Sequence, residues 1–369
     1  MRKMGLILDR FDPGRGGLES YARFLLERFV EQQGETLLIT GSSPQDVPKG
    51  VCLHTIPATG PAFYTAVSRL APAMRDTHVL LSMRHPGEAA EVFLPLGGLF
   101  RDALEAKRRA EPLPKRLPAR LARWVSPKSR FFLAEEHKFF ARGEGLVLCS
   151  SDLVAGRIRE AFPAFRGCLE VTGLPVDPER FSIPEPAEVG NFRKTLGLPP
   201  EPAWLLLWVG NDPRRKGLPL ALATLGRLRQ RKLEAYLLCL GRNLPRRLAR
   251  NPYCILRWAE DPSPYFKASD LFLLPSLEDN YSLSLLEAMA CGLPSITTLA
   301  NGAHVHIRDS IDGRVLSRPD DLDALDRAAL CLLQKSSLAQ RLHRRGSVAD
   351  NFEDKHFLRL WNRIQTHFS

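Results

Sequence analysis

The residue types best suited to chemistry cluster between positions 271 and 294. Residues 271–274 form a short apolar run closed by Pro275, the pattern of a strand buried on both faces of a parallel sheet. Glu278, Asp279, Asn280, Tyr281 and Ser282 follow, then a helical run whose first turns carry Ser284 and Glu287. A strand feeding a small polar turn and a helix N-terminus makes an oxyanion pocket. The first N–H groups of the helix lack partners there, and its dipole is positive. Carboxylates at such a mouth repel a phosphate, so they suit hydroxyl groups attached to it. These residues ask for a sugar nucleotide. Taken alone, Asp279 is also what an ordinary helix start carries, because the dipole favours acids.

A second group, Gly210-Asn211-Asp212-Pro213-Arg214-Arg215-Lys216-Gly217, follows the apolar run 204–209. Glycine lets backbone approach an oxyanion, and bases beside a helix start neutralise it. This is no Walker loop, since Gly217 stands where Ser or Thr would follow the lysine. A third group, residues 9–19, places Gly16 and Gly17 between a first strand and a helix. A fourth, residues 83–93, lies past another strand end, where either His85 or Glu91 can face an acceptor. His304 and His306 form a pair with no third ligand nearby in sequence, so no metal is expected.

The run ending at Glu287 resembles the acidic-x7-Glu signature of retaining GT-B glycosyltransferases, glycosyltransferase family 4 above all. Asp279 lies eight positions before Glu287 and takes the first acidic place, followed by Asn280, Tyr281 and Ser282. Gly210 and Lys216-Gly217 are similar to that family's diphosphate loop, with Arg215 or Arg214 supplying a second charge where Asn211 replaces the usual arginine. Gly16, Gly17 and Glu19 resemble its glycine loop, and residues 83–98 resemble a loop of lipopolysaccharide-core glucosyltransferases. The resemblance implies an α/β protein of GT-B type, two Rossmann-like domains with parallel sheets facing a central cleft. It implies a metal-independent retaining hexosyltransferase, with no cofactor, that moves a sugar from a nucleoside-diphosphate donor to an acceptor hydroxyl in lipopolysaccharide or other envelope glycan synthesis. UDP, GDP and ADP sugars share nearly the same phosphate and ribose contacts, and a UDP-sugar is the donor favoured among them. Arg215 and Lys216 would meet the leaving diphosphate and Glu287 the ribose. Asp279 and the backbone of Asn280, Tyr281 and Ser282 would meet the donor sugar, and the base would lie near Trp258.

The elements that must position these groups alternate strand-like and helix-like along 369 residues, which argues an α/β chain of two domains. Strands are expected at 4–8, 36–40, 51–55, 77–81, 145–149 and 168–171, then at 204–209, 235–240, 254–257, 271–274 and 295–298. Turn formers at 172–178 read as a linker. This gives domains over 1–172 and 173–350, to which the resemblance assigns acceptor binding and nucleotide-sugar binding, respectively. By the resemblance, a final helix at 351–369 crosses back onto the first. One helical tail is expected from about 322 to the end. Seven cysteines without a Cys-x-x-Cys read as reduced thiols of a cytoplasmic protein.

The formal charge of +11 calls for an anionic partner. Much of it sits at 107–130, where nine basic residues face Glu111 alone, with Leu117, Leu121 and Trp124 interleaved. That stretch suits an anionic membrane surface carrying a lipid-linked saccharide acceptor, a phosphorylated acceptor, or plain solvation. Pro112, Pro114 and Pro118 prevent one long helix there. A GT-B-type epimerase or phosphorylase is the rival enzyme reading. A non-enzymatic nucleic-acid binder is the other, but no aromatic–basic readout module is present and the acidic helix start would go unexplained. No nucleic-acid partner is expected.

Overall fold

The computed structural model describes residues 2–12, 17–42, 46–110, 126–334 and 345–368. The chain divides into two compact units, Met1–Gly173 with Phe357–Ser369, and Leu174–His356.

The first unit is built on seven parallel strands: β1 (Lys3–Leu8), β2 (Thr36–Thr40), β3 (Val51–Thr55), β4 (His78–Ser82), β5 (Val92–Phe93), β6 (Leu146–Cys149) and β7 (Cys168–Val171). Their order is β3-β2-β1-β4-β5-β6-β7. In β1, Met4, Leu6, Ile7 and Leu8 are all buried, as a central parallel strand covered on both faces requires. Gly5 pairs with Leu37 on one side and Leu80 on the other. The edge strand β3 is far more exposed. Helix α1 (Gly17–Gln33) buries Tyr21, Ala22, Leu25, Leu26 and Phe29, an apolar stripe at helical spacing. Helices α2 (Pro61–Arg75), α3 (Phe100–Ala110), α4 (Pro127–Ala141) and α5 (Asp152–Ala161) complete the unit's described helices before its last strand. Strand β5 and helix α3 were not expected from sequence. Two residues are too few to show a period, and the prolines at 112–118 obscured the helical stretch before them.

The second unit has six parallel strands: β8 (Trp204–Val209), β9 (Ala235–Leu240), β10 (Cys254–Arg257), β11 (Leu271–Leu273), β12 (Ser295–Thr298) and β13 (Gly313–Leu316). Their order is β10-β9-β8-β11-β12-β13. Its α-helices are α6 (Pro186–Thr195), α7 (Leu218–Gln230), α8 (Ser263–Ala268), α9 (Leu283–Ala290) and α10 (Leu322–Gln334). The single tail expected from 322 is instead at least two helices. A 3-10 turn at Gly346–Asn351 precedes α11 (Glu353–Phe368). On α11, Phe357, Leu360, Trp361 and Ile364 are buried at i, i+3, i+4 and i+7. Phe357 and Trp361 lie 5.9 Å from Phe29 of α1, centroid to centroid, which joins this helix to the first unit's core. Among the described residues no helix is long and apolar enough to cross a membrane.

Each sheet has one topological switch point. The chain leaves β1 for β2 and β3 on one side and resumes at β4 on the other; β8 and β11 stand in the same relation in the second sheet. Ligands of open α/β sheets bind beyond the carboxyl ends of the strands at such points.

Candidate active site

The loops after β8 and β11 meet at the second switch point. Gly217 caps α7 with φ +71°, and a Cβ there would stand 2.0 Å from the Pro275 carbonyl oxygen. Trp208 Nε1 donates to the Lys216 carbonyl at 2.9 Å, and the Leu277 amide to the Arg215 carbonyl at 2.8 Å. The basic loop is thereby clamped against the acidic one. Gly217→Ala combines a left-handed backbone with a backbone clash, so a loss of about 1–3 kcal/mol is expected. Chemical denaturation followed by tryptophan fluorescence checks this, and a loss below about 0.5 kcal/mol would show that the loops are not locked together.

The clamp brings Arg215, Lys216 and Asp279 together. Lys216 Nζ lies 3.2 Å from Asp279 Oδ2 and Arg215 Nη1 lies 3.7 Å from Oδ1. Arg215 Nη1 also donates to the Glu278 carbonyl at 3.1 Å. Asp279 is 5% exposed, yet its Oδ2 finds no partner of hydrogen-bonding geometry among the described residues. The Lys216 stem crosses Gly210, where a Cβ would stand 2.5 Å from its Cδ. Any side chain at 210 would push this cation away.

Glu287 sits in the second turn of α9 and is half-buried. Burial pushes its carboxyl up to about 7, against the pull of Arg180 and Lys216. That shared field puts Glu287 and Lys216 in one electrostatic environment, although 71 positions separate them in sequence. Arg180, which donates to Asp261 at 2.8 Å, was not singled out from sequence. It lies in a stretch without glycine or motif spacing.

The side chains of Tyr281 and Ser282 are engaged within the second unit. The Tyr281 hydroxyl meets His306 Nε2 at 2.7 Å and accepts from Asn351 Nδ2 at 3.1 Å, while the Ser282 hydroxyl pairs with Ser284 at 3.0 Å. Both side chains are buried in the protein, and their main chain alone remains for a ligand. Asn280 is half-buried between them and Asp279. Gly302 N donates to the Asp279 carbonyl at 2.8 Å, so the 301–306 loop braces the acidic turn. His304 Nδ1 lies 2.8 Å from the Asn301 carbonyl. Trp258 is 54% exposed just beyond β10, with the Arg242 guanidinium 4.9 Å from its ring centroid.

The first unit holds a cavity of about 640 Å³ at its own switch point. Asp9 and Arg10 reach it from the end of β1, and Arg84 and His85 from the end of β4. The His85 ring stacks on Phe132 at 3.7 Å. Burial, with Arg84 and Lys128 adding to it, lowers the imidazole to about 3, so it is neutral at physiological pH. Glu91 does not line this cavity. Its carboxylate pairs with Arg2 at 2.8 Å and accepts from the Leu80 amide at 3.3 Å. The physical reason is direction along the sheet. Glu91 precedes β5 and Arg2 precedes β1, so their pair lies toward the amino ends of the strands, whereas His85 follows the carboxyl end of β4. Of the two residues, His85 lines this cavity and Glu91 does not. Gly17 begins α1, while Gly16 lies outside the described residues, as does most of the basic stretch at 107–130. From the end of that stretch Lys128 lines the cavity.

Two parallel-sheet Rossmann-like units define the GT-B class of fold. Residues 203–335 match the family described as Glycosyl transferases group 1, so the second unit carries a domain of that family. The chain is 28% identical over 184 residues to lipopolysaccharide glucosyltransferase WaaG of Escherichia coli K12, covering 44% of this chain and 49% of that one. It thus spans about half the length of that curated relative. The crystal structure of WaaG superposes with TM-score 0.74 at 21% identity, covering 94% and 95% of the two chains. The Anabaena protein Alr3699/HepE, solved with UDP and glucose, superposes with TM-score 0.66 at 12% identity, covering 99% and 100%. At these identities the superpositions show the fold.

Proposed function

We propose that this chain is a metal-independent retaining glycosyltransferase that moves a hexosyl group from a UDP-sugar to an acceptor hydroxyl in cell-envelope glycan synthesis. It would act in the cytoplasm, at the inner membrane face where lipid-linked acceptors lie. The observation that carries the reading is the convergence of Lys216, Arg215, Asp279 and Glu287 at the second switch point. Lys216 and Arg215 meet the charge that grows on the departing diphosphate. Glu287 accepts from the ribose hydroxyls and Asp279 from those of the donor sugar, while Trp258 marks the side of the base. The donor diphosphate takes the acceptor proton on the face it leaves, so no protein nucleophile is required. WaaG is named a glucosyltransferase and HepE was solved with UDP and glucose, which supports glucose and UDP as the first donor to test.

The test is a nucleotide panel read by thermal shift, followed by transfer from the winning sugar nucleotide with and without EDTA. Saturating UDP at about 100 Kd should stabilise the protein by roughly 2.7 kcal/mol. No shift with any nucleoside diphosphate, or a strict need for Mg²⁺ or Mn²⁺, would sink the proposal.

Glu287 also predicts a pH dependence. Its folded carboxyl titrates near 7, above the ordinary range for a glutamate. It therefore contributes most stability below that ordinary range, and the contribution is lost as pH rises to about 7. A ribose hydroxyl pairs best with the ionised form. Affinity for UDP-glucose, whose diphosphate is esterified at both ends, should rise several-fold between roughly pH 6 and pH 8. Glu287→Gln should flatten both profiles and weaken binding, with the fold intact. Calorimetry at each pH decides this, and an unchanged slope in the variant would remove Glu287 from the ribose.

A further inference from the structure

The chain leaves the first unit after Gly173 and returns to it at Phe357, and the two connecting segments are sewn together within the second unit. The Val176 amide donates to the Asn351 carbonyl at 2.9 Å, beside a parallel bridge between Val176 and Phe352. Arg345 Nη2 donates to the Pro178 carbonyl at 2.8 Å. Asn351 ends the 3-10 turn and is 3% exposed. Its Nδ2 donates to the Leu174 carbonyl at 3.0 Å and to the Tyr281 hydroxyl at 3.1 Å. The turn it ends also packs against α9, the helix that carries Glu287.

A side-chain amide nitrogen carries two protons, so both of those on Asn351 are committed. A phenol hydroxyl accepts twice and donates once. Having accepted from Asn351, that of Tyr281 gives its proton to His306 Nε2 at 2.7 Å. Tyr281 thus has one arm on the connecting segments and one on the 301–306 loop that braces Asp279. Its main chain lies between Asp279 and Ser282, in the part of the turn that remains for a ligand. Buried bonds of this kind hold their partners in one arrangement, because breaking one strands a donor away from water. We infer that Tyr281 and Asn351 are positioning residues for the donor site. Their hydrogen bond latches the acidic turn to both connecting segments, so a nucleotide that orders the turn orders those segments too. The inference rests on the transferase reading above, which puts the nucleotide at this turn. The coupling is reciprocal: the connecting segments hold the main chain that meets the donor.

Hydrogen–deuterium exchange on the full chain, with UDP as the probe, tests this. Saturating UDP should slow exchange in peptides covering 279–285, and also in those covering 174–181 and 347–356, each by about threefold or more. In Tyr281→Phe and Asn351→Leu, UDP should still slow the acidic turn. Its effect on the connecting segments should fall below about 1.5-fold. Calorimetry should find UDP bound roughly three- to tenfold more weakly by each variant, the range expected for one hydrogen bond. The two substitutions cut different second bonds, to His306 and to Leu174, and share only the loss of the latch. Tyr281→Phe removes a single oxygen, so it decides the question even where Asn351→Leu does not fold. A bond with a structural role alone would alter exchange in the free protein and leave the response to UDP as it was. A slowed turn with unmoved connecting segments in the wild type, or a response preserved in Tyr281→Phe, would overturn the inference. So would a UDP affinity kept within about 1.5-fold in that variant. Absence of any UDP thermal shift in the wild-type protein would instead sink the transferase reading, so the two failures are distinguishable.

Discussion

Replacing Lys216 with alanine should lower kcat for sugar transfer about 10²-fold while leaving KM for the donor within a few-fold. The ammonium is held over Gly210 and beside Asp279, positioned for a charge that grows only as the diphosphate leaves. An interaction that strengthens in the transition state appears in kcat, and one made equally with bound substrate appears in KM. Arg215→Ala should fall in the same direction. Part of its effect will come from the loop, because Arg215 also holds the Glu278 carbonyl and the Asp212 carboxylate. Lys216→Ala is the cleaner variant, since its ion pair with Asp279 lacks hydrogen-bond geometry and its removal leaves the loop's backbone clamp in place. Steady-state kinetics with EDTA present decides the matter. A loss below about threefold, or one confined to KM, would show that another cation carries the leaving group.

The second large effect concerns stability. Arg193 is 1% exposed on α6 and donates to four acceptors: the carbonyls of Ala268 at 3.0 Å, Ala203 at 2.8 Å and Pro199 at 3.5 Å, and Asp270 Oδ2 at 2.7 Å. The same Asp270 oxygen accepts from the Leu205 amide at 2.7 Å. One guanidinium thus ties a helix to the start of β8 and to the turn that enters β11, the two strands flanking the donor switch point. Arg193→Ala leaves several buried acceptors and a carboxylate short of their donor, and should cost about 3–5 kcal/mol. That is a large fraction of the roughly 5–15 kcal/mol by which such proteins are stable. Replacing Arg193 and Asp270 together with leucine should cost clearly less, because no charge is left alone. Urea unfolding followed by tryptophan fluorescence measures this cost. A single-variant cost within about 0.5 kcal/mol would mean that water replaces the guanidinium without penalty.

Local chemistry determined much of this protein from sequence. The apolar runs of β8 and β9 and the apolar centre of β2 read directly as strands, because a parallel strand buried on both faces is largely apolar. The basic loop ending at Gly217 and the pair Asp279 and Glu287 were legible for a similar reason. Each lies within one strand–loop–helix unit, where spacing alone sets which groups share the helix start. Tertiary structure decided what spacing cannot reach. It turned Tyr281 toward His306 and Asn351, because that ring lies where a later loop packs. It sent Glu91 to Arg2 and left His85 at the cavity, a choice fixed by which end of a neighbouring strand each residue adjoins. It joined Arg193 to Asp270 across 77 positions, and Asp9 and Arg10 to Arg84 and His85 across the switch between β1 and β4. Such pairs depend on strand order and register, which long-range backbone hydrogen bonds set and which no local pattern records.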